Sequence, residues 1–272
     1  MRDKKIGVIG GGKIGSALIR GILKAGLVHK DQIIASAPRD SVRQSLAKES
    51  GIRVTSGNVE VTEFADTVIL TVKPQIIDSV LQEISRKIGV KKLLISVAAG
   101  VPLARIEGYL PKGSRVVRVM TNTPCVVGVA ASAYARGSHA TKEDLDRVER
   151  ILKSVGIALQ LEERYLDAVT GLSGSGPAYV FLFIESLADG GVRAGLSREG
   201  ALQLALQTVY GSAKLAWESG KHLAQLRDEI TSPGGTTISG LYALEKGGFR
   251  GIVMEAVLKA TERSQALGKG ES

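Results

Sequence analysis

Gly10-Gly11-Gly12-Lys13-Ile14-Gly15 is the first stretch of this chain able to do chemistry. It fits the pattern G-x-G-x-x-G. It follows an apolar, strand-like run at residues 5–9 and opens a helical pattern at residues 13–25, which is the setting the pattern requires. There the first glycine permits a tight turn, the second lets the backbone approach a pyrophosphate, and the third allows close packing of helix on strand. The helix start adds unpaired N–H groups and a partial positive charge. A glycine-rich turn without a ligand is the competing reading, and the spacing and context favour a dinucleotide.

The end of the second strand, residues 32–35, selects the dinucleotide. An NAD enzyme usually carries Asp or Glu there, about twenty residues after the glycines, to bind the ribose 2′-hydroxyl. This chain has Ser36-Ala37-Pro38-Arg39 and no acid before Asp40. Hydroxyl, N–H and guanidinium groups bind a 2′-phosphate, whereas a carboxylate repels one. NADPH is therefore the expected cofactor, with NADH left open, and Arg39 as a plain surface residue is the alternative. Val72-Lys73-Pro74, Ser96-Val97-Ala98-Ala99-Gly100 and Met120-Thr121-Asn122-Thr123-Pro124 end later strands. Their small or polar residues suit a crevice over the carboxyl ends of the sheet.

Two further segments run glycines and hydroxyl residues into helix starts. One is Gly171-Leu172-Ser173-Gly174-Ser175-Gly176-Pro177-Ala178-Tyr179, the other Thr231-Ser232-Pro233-Gly234-Gly235-Thr236-Thr237. Exposed amides with hydroxyls make a cradle for a carboxylate. Helix capping without a ligand is the ordinary explanation for any single Ser or Thr.

The elements that must position these residues alternate in the first half. Strand-like runs fall at 5–9, 32–35, 67–72, 93–97 and 115–120, with a further strand expected within 126–134 and another near 157–161. Helical patterns fall at 13–25, 39–49, 76–88 and 142–154. Strands separated by single helices pair in parallel through right-handed crossovers. The expectation is an α/β Rossmann domain, doubly wound and mostly parallel, over residues 1–161. Residues 162–272 read as an all-helical domain, with helices at 177–189, from the Ser197 cap to the Gly220 stop, at 237–245 and at 250–267. Leu202, Leu204, Leu206, Val209, Leu215 and Trp217 nearly encircle the second of these, as in a helix buried on several sides. A dimer interface explains that economically. The tail, residues 268–272, reads as frayed.

Composition narrows the class. Of 272 residues, 33 are glycine and only 4% aromatic, so the core rests on aliphatic side chains. The formal charge of +9 raises nucleic acid as a partner, but the basic residues are dispersed and stacking platforms are missing, which argues against it. No apolar run reaches the roughly eighteen residues a membrane span needs. Cys125 is the single cysteine, which excludes an internal disulfide and a cysteine-based metal site and fits a reducing, cytoplasmic setting. Met1-Arg2-Asp3-Lys4-Lys5 leads directly into a strand, leaving no room for a signal peptide. No metal site is expected.

Thr231 to Thr237, followed by Ile238, Gly240, Leu241, Leu244 and Glu245, resembles the signature of pyrroline-5-carboxylate reductases. The resemblance extends to Gly171–Tyr179, Val72-Lys73-Pro74, Ser96–Gly100 and Met120–Pro124, and so spans essentially the whole chain. It implies a Rossmann domain followed by a helical dimerisation domain, with many members assembling decamers from such dimers. It implies reduction of 1-pyrroline-5-carboxylate to L-proline, the final step of proline biosynthesis, by NADPH or NADH. The family's cofactor positions fall on Gly10, Gly11, Gly12, Lys13, Ile14, Ala37, Arg39, Asn58, Val72, Lys73 and Ala99. Its substrate positions fall on Glu163, Ser232, Gly235, Thr236 and Thr237. Ala37 and Arg39 depart from what some members carry, which bears on the 2′-phosphate contacts.

On that reading residues 232–237 hold the carboxylate and the Thr237 hydroxyl faces the ring nitrogen as an orienting group. Two rivals remain. A β-hydroxyacid dehydrogenase shares the plan, but such enzymes resemble one another in a lysine on the helix after their glycine motif, and Tyr179-Val180-Phe181-Leu182-Phe183 offers none. A non-catalytic NADP sensor would keep Gly10–Gly15 without needing the 232–237 cradle.

Overall fold

Strand β1, Ile6–Ile9, is buried at every position. So are β2 (Ile33–Ser36), β4 (Thr67–Leu70) and β5 (Leu93–Ser96). Strands covered on both faces read as continuous apolar runs, and that is why these segments stand out in the sequence. The computed structural model describes residues 4–269; the expectations for residues 1–3 and 270–272 lie outside it.

These strands join β3 (Arg53–Thr55), β6 (Arg115–Met120), β7 (Ala130–Arg136) and β8 (Gly156–Gln160) in one sheet. Its order is β3-β2-β1-β4-β5-β6-β7-β8. All neighbours are parallel except β6 and β7, which are antiparallel because a short turn joins them directly, with no crossover helix. The chain reverses its direction of winding between β1 and β4, which pair with each other and with β2 and β5 in step: Ile9 lies opposite Ser36 on one side and Leu70 on the other. Leu70 in turn faces Ser96. The register therefore brings four strand ends level, and the loops leaving them share one edge.

Helices cover both faces. Leu18, Ile19 and Ile22 of α1 (Lys13–Lys24) and Val148, Ile151 and Leu152 of α6 (Lys142–Lys153) pack on one. Ile77, Leu81 and Ile84 of α4 (Ile77–Ile88) pack on the other, with Val61 of α3 (Asn58–Phe64) and Ile106 of α5 (Leu103–Gly108). Helix α2 (Asp40–Ser50) contributes only Leu46, in keeping with its polar sequence. The short pieces β3, α3 and α5 give too few residues to show a period and were not expected from the sequence.

By its contacts the chain divides into two compact units. The sheet unit runs through Ser175 and takes back the chain from Leu258 onward; the helical unit is Gly176–Val257. Helix α7, Leu166–Val169, thus stays with the sheet. The helical unit holds α8 (Gly176–Arg193), α9 (Arg198–Ser219), α10 (Leu223–Glu229), α11 (Thr236–Lys246) and the first part of α12 (Phe249–Lys269). Ser197 caps α9 by accepting from the Gly200 amide, and Gly220 ends it with φ +62, as the sequence indicated. His222 caps α10, its Nδ1 accepting from the Ala224 amide. Only Ala201 and Ala205 of α9 are buried; Leu204, Leu215 and Trp217 stand exposed.

Candidate active site

The turn after β1 sits where the winding reverses, at the carboxyl edge of the sheet. Ligands of open α/β sheets bind there. Gly10 has φ +111, a conformation that side chains other than glycine rarely adopt. Its carbonyl is held by the Thr71 hydroxyl at 2.6 Å, and its amide donates to Ser36 at 3.0 Å. A Cβ at Gly15 would stand 2.1 Å from the Gly10 oxygen, so this glycine lets α1 close onto the turn. A Cβ at Gly12 would meet nothing within 4 Å, so the space beside it is open. Gly12 caps α1 without a side-chain hydrogen bond, and the amides of Lys13 and Ile14 lack an intrahelical partner. Open space, free amides and a helix N-terminus are what a pyrophosphate needs, so these residues fit a dinucleotide.

The end of β2 is less open than its composition suggests. Ser36 is buried, and its hydroxyl donates to Oδ1 of Asn58 at 2.7 Å. The Asn58 amide nitrogen donates to the Glu83 carboxylate at 2.7 Å. A carboxylate can only accept, so this contact fixes which way the Asn58 amide points. The Ala37 amide donates to Thr55 at 3.1 Å. Of the three donor types found here in the sequence, the hydroxyl and the strand-end amide are therefore engaged. Arg39 is exposed; its carbonyl accepts from the Arg43 amide at 3.2 Å, and its guanidinium stands without a hydrogen-bond or ion-pair partner among the described residues. It also caps α2 without a side-chain bond, leaving that helix's first amides free.

Val72 and Pro74 are half-buried and Lys73 is exposed, at the head of the Pro74–Ile76 turn. Ala99 is half-buried on the loop after β5. The adjoining Gly100, φ +71, lies against Ser264 and Leu267 near the end of α12. Thr121 and Asn122, by contrast, are buried and turned inward. Thr121 bonds Ser132, and Asn122 bonds the Ser173 carbonyl and the Ala131 amide. The third strand end thus braces the sheet unit internally.

The 171–179 segment is not the open cradle its composition suggested. Residues Thr170–Gly174 form a π-helical turn, with the Ser175 amide on Thr170 at 2.8 Å. The Thr170 and Ser173 hydroxyls donate back to Leu166 and Val169. These hydroxyls are thereby spent on the preceding turn, the local side-chain-to-backbone pattern that Ser and Thr make within helices.

In the 231–237 segment the Thr231 and Gly235 amides are engaged by Asp228 and Ser232, and those of Thr236 and Thr237 at the helix start have no intrahelical partner. Gly234 turns at φ +64, Gly235 caps α11 with no side-chain bond, and Thr236 and Thr237 are its first two helical residues. A Cβ on Gly235 would stand 2.3 Å from the Ser232 hydroxyl, so glycine lets that hydroxyl lie against the helix start. Ser232 is exposed and Thr237 half-buried. Within the helical unit these groups have the chemistry that a carboxylate needs.

Glu163 lies in the sheet unit, on the turn Glu163–Tyr165. Its Oε1 accepts from the Leu103 amide at 2.6 Å, capping α5, and from Arg118 at 3.1 Å.

Comparison with known proteins decides what this arrangement belongs to. Residues 163–267 match the model for pyrroline-5-carboxylate reductase dimerisation, and residues 5–100 match that for NADP oxidoreductase, coenzyme F420-dependent. The chain is 49% identical to the pyrroline-5-carboxylate reductase of Methanosarcina acetivorans, over 99% of this chain and 100% of that one. It is 45% identical to the Arabidopsis thaliana enzyme of the same name, over 97% and 95%. The chain belongs to the pyrroline-5-carboxylate reductase family. The Plasmodium falciparum pyrroline carboxylate reductase, solved with NADP bound, superposes with a TM-score of 0.89 at 40% identity over 98% of this chain and 99% of that one. The reductase from Coxiella burnetii superposes at 0.91 with 33% identity, over 97% and 98%. As a member of this reductase family the chain is an oxidoreductase, and the dehydrogenase and sensor readings lose their support. Among the described residues no helix of the reductase is long and apolar enough to cross a membrane.

Sequence reasoning missed Thr71 and Glu83. Thr71 stands immediately before Val72-Lys73-Pro74, so a hydroxyl at a strand end was a usable signal. Glu83 is one of two acids on α4, and nothing in its spacing marks it.

Proposed function

We propose that the chain reduces 1-pyrroline-5-carboxylate to L-proline with NADPH, using Gly10–Gly15, Ala37, Arg39, Asn58, Val72, Lys73, Pro74 and Ala99 for the cofactor. The free amides at the start of α1 beside the open space at Gly12 carry this reading. Ser36 contributes by holding Asn58. When bound, NADPH supplies the hydride that the imine carbon receives. The chain's own part is to bind and orient, which is where most of the acceleration of such a step originates. The amides of Thr236 and Thr237 with the Ser232 hydroxyl hold the substrate carboxylate, Gly235 makes room for them, and the Thr237 hydroxyl orients the ring nitrogen. Glu163 is assigned to the substrate by its family position alone. In this division of labour residues 1–161 bind the cofactor and residues 162–272 bind substrate and form the dimer.

The dimer forms through the helical unit, and such dimers assemble into decamers. An apolar groove lined by Tyr179, Phe183, Leu244, Phe249, Ile252 and Val253 supports the dimer, as does the exposed Trp217. The reading needs neither nucleic acid nor membrane, and the single free thiol fits the cytoplasm.

The test is loss of NADPH absorbance on adding pyrroline-5-carboxylate, with L-proline identified as the product. NADPH oxidation without L-proline, or none at all, overturns the reading.

A further inference from the structure

Arg43 stands on α2, one turn along from the β2–α2 turn, with its side chain only 20% exposed. Its Nη1 donates to two consecutive carbonyl oxygens, Ala37 at 2.7 Å and Pro38 at 2.8 Å. Its Nη2 donates to Oδ1 of Asp40 at 3.0 Å. The other oxygen of Asp40 accepts from Nε2 of Gln44 at 2.5 Å. One guanidinium thus holds the turn that carries Ala37 and Arg39 and also occupies the first acid after β2.

Both effects act on the same few atoms. Arg39 precedes α2, and the free amides of that helix begin at Asp40 itself. An anion at those amides would have the carboxylate of Asp40, the residue that carries the first of them, well within the screening length of about 10 Å at 0.1 M salt. A 2′-phosphate carries that charge and a 2′-hydroxyl does not. A free carboxylate at this point would accept from the hydroxyl and repel the phosphate.

We propose that Arg43 sets the preference for NADPH over NADH, as a positioning residue that clamps the Ala37–Pro38 turn and masks the Asp40 carboxylate. The proposal rests on the reading that the β2 end receives the cofactor's adenosine ribose.

The test measures Kd for NADPH and for NADH by nicotinamide fluorescence, at fixed ionic strength, on the full chain. It compares the wild type with Arg43→Ala, Arg43→Lys and Arg43→Ala combined with Asp40→Asn. Calorimetric titration with 2′,5′-ADP and 5′-AMP repeats the comparison without nicotinamide. Arg43→Ala raises Kd for NADPH about tenfold, the scale of one charge-assisted bond, while Kd for NADH moves less than about twofold. The added Asp40→Asn recovers most of the NADPH affinity, because it removes the charge that Arg43 masked. Arg43→Lys falls between, since an ammonium keeps the charge without the planar fork. Equal weakening of both cofactors, unchanged constants, or no recovery from Asp40→Asn would overturn the assignment. A wild-type chain that binds NADPH yet does not oxidise it with pyrroline-5-carboxylate would sink the proposed reaction and leave the Arg43 result readable from binding alone.

Discussion

Arg118 on β6 and Asp167 on α7 form an ion pair at 3.2 Å inside the sheet unit, and Arg118 is only 5% exposed. The same Arg118 reaches Glu163 at 3.1 Å, and Ser264 of α12 donates to the same oxygen of Asp167 at 2.8 Å. One buried cation therefore gathers the turn after β8, α7 and, through Asp167, the end of the last helix.

Removing that cation should be expensive. Truncating one partner of a buried pair leaves charge uncompensated and costs about 3–5 kcal/mol, with the lower figure apt here because both carboxylates are partly exposed. Arg118→Ala is expected to lower the unfolding free energy read from urea titration by that amount at fixed protein concentration. A change under about 1 kcal/mol, the level of a surface pair, would show that the network is dispensable.

Gly12 and Gly15 should separate binding from folding. Gly12→Ala has room for its methyl and is expected to keep the thermal midpoint while weakening NADPH, because the methyl projects into the open space beside the amides. Gly15→Ala puts a methyl 2.1 Å from the Gly10 oxygen and should lower both the midpoint and the affinity. Identical behaviour of the two variants in calorimetry and NADPH titration would contradict these assigned roles.

Thr237→Ala is expected to reduce turnover about 10- to 100-fold, the value of a hydrogen bond to a charged or polarised group, with NADPH binding little changed. Thr237→Ser, which keeps the hydroxyl, should recover most of the rate. A Thr237→Ala enzyme with full kcat would remove the hydroxyl from the mechanism.

Cys125 is buried, and burial pushes its thiol above the usual cysteine range, partly offset by Arg20. The thiolate is the reactive form, so the folded chain should resist iodoacetamide at pH 7.5 and react promptly in urea. Equal rates in both conditions, followed by mass spectrometry, would contradict that environment.

Much of this protein is written locally. The Gly10–Gly15 spacing, the fully apolar strands and the Ser197 and Gly220 helix limits depend on residues close in sequence, so the Rossmann plan, the helical second half and the uncapped helix starts of α1 and α11 could be read there. What local pattern cannot carry is which polar group meets which across the sheet edge. Ser36 and the Ala37 amide looked like phosphate donors and are engaged by Asn58 and Thr55. The 171–176 segment looked like an open cradle, and it is helical with the Ser173 hydroxyl bonded to the preceding turn. Glu163 is bound to Arg118 across 45 positions of sequence. Strand register and long-range packing decide these partnerships, and they determine which donors stay free for a ligand.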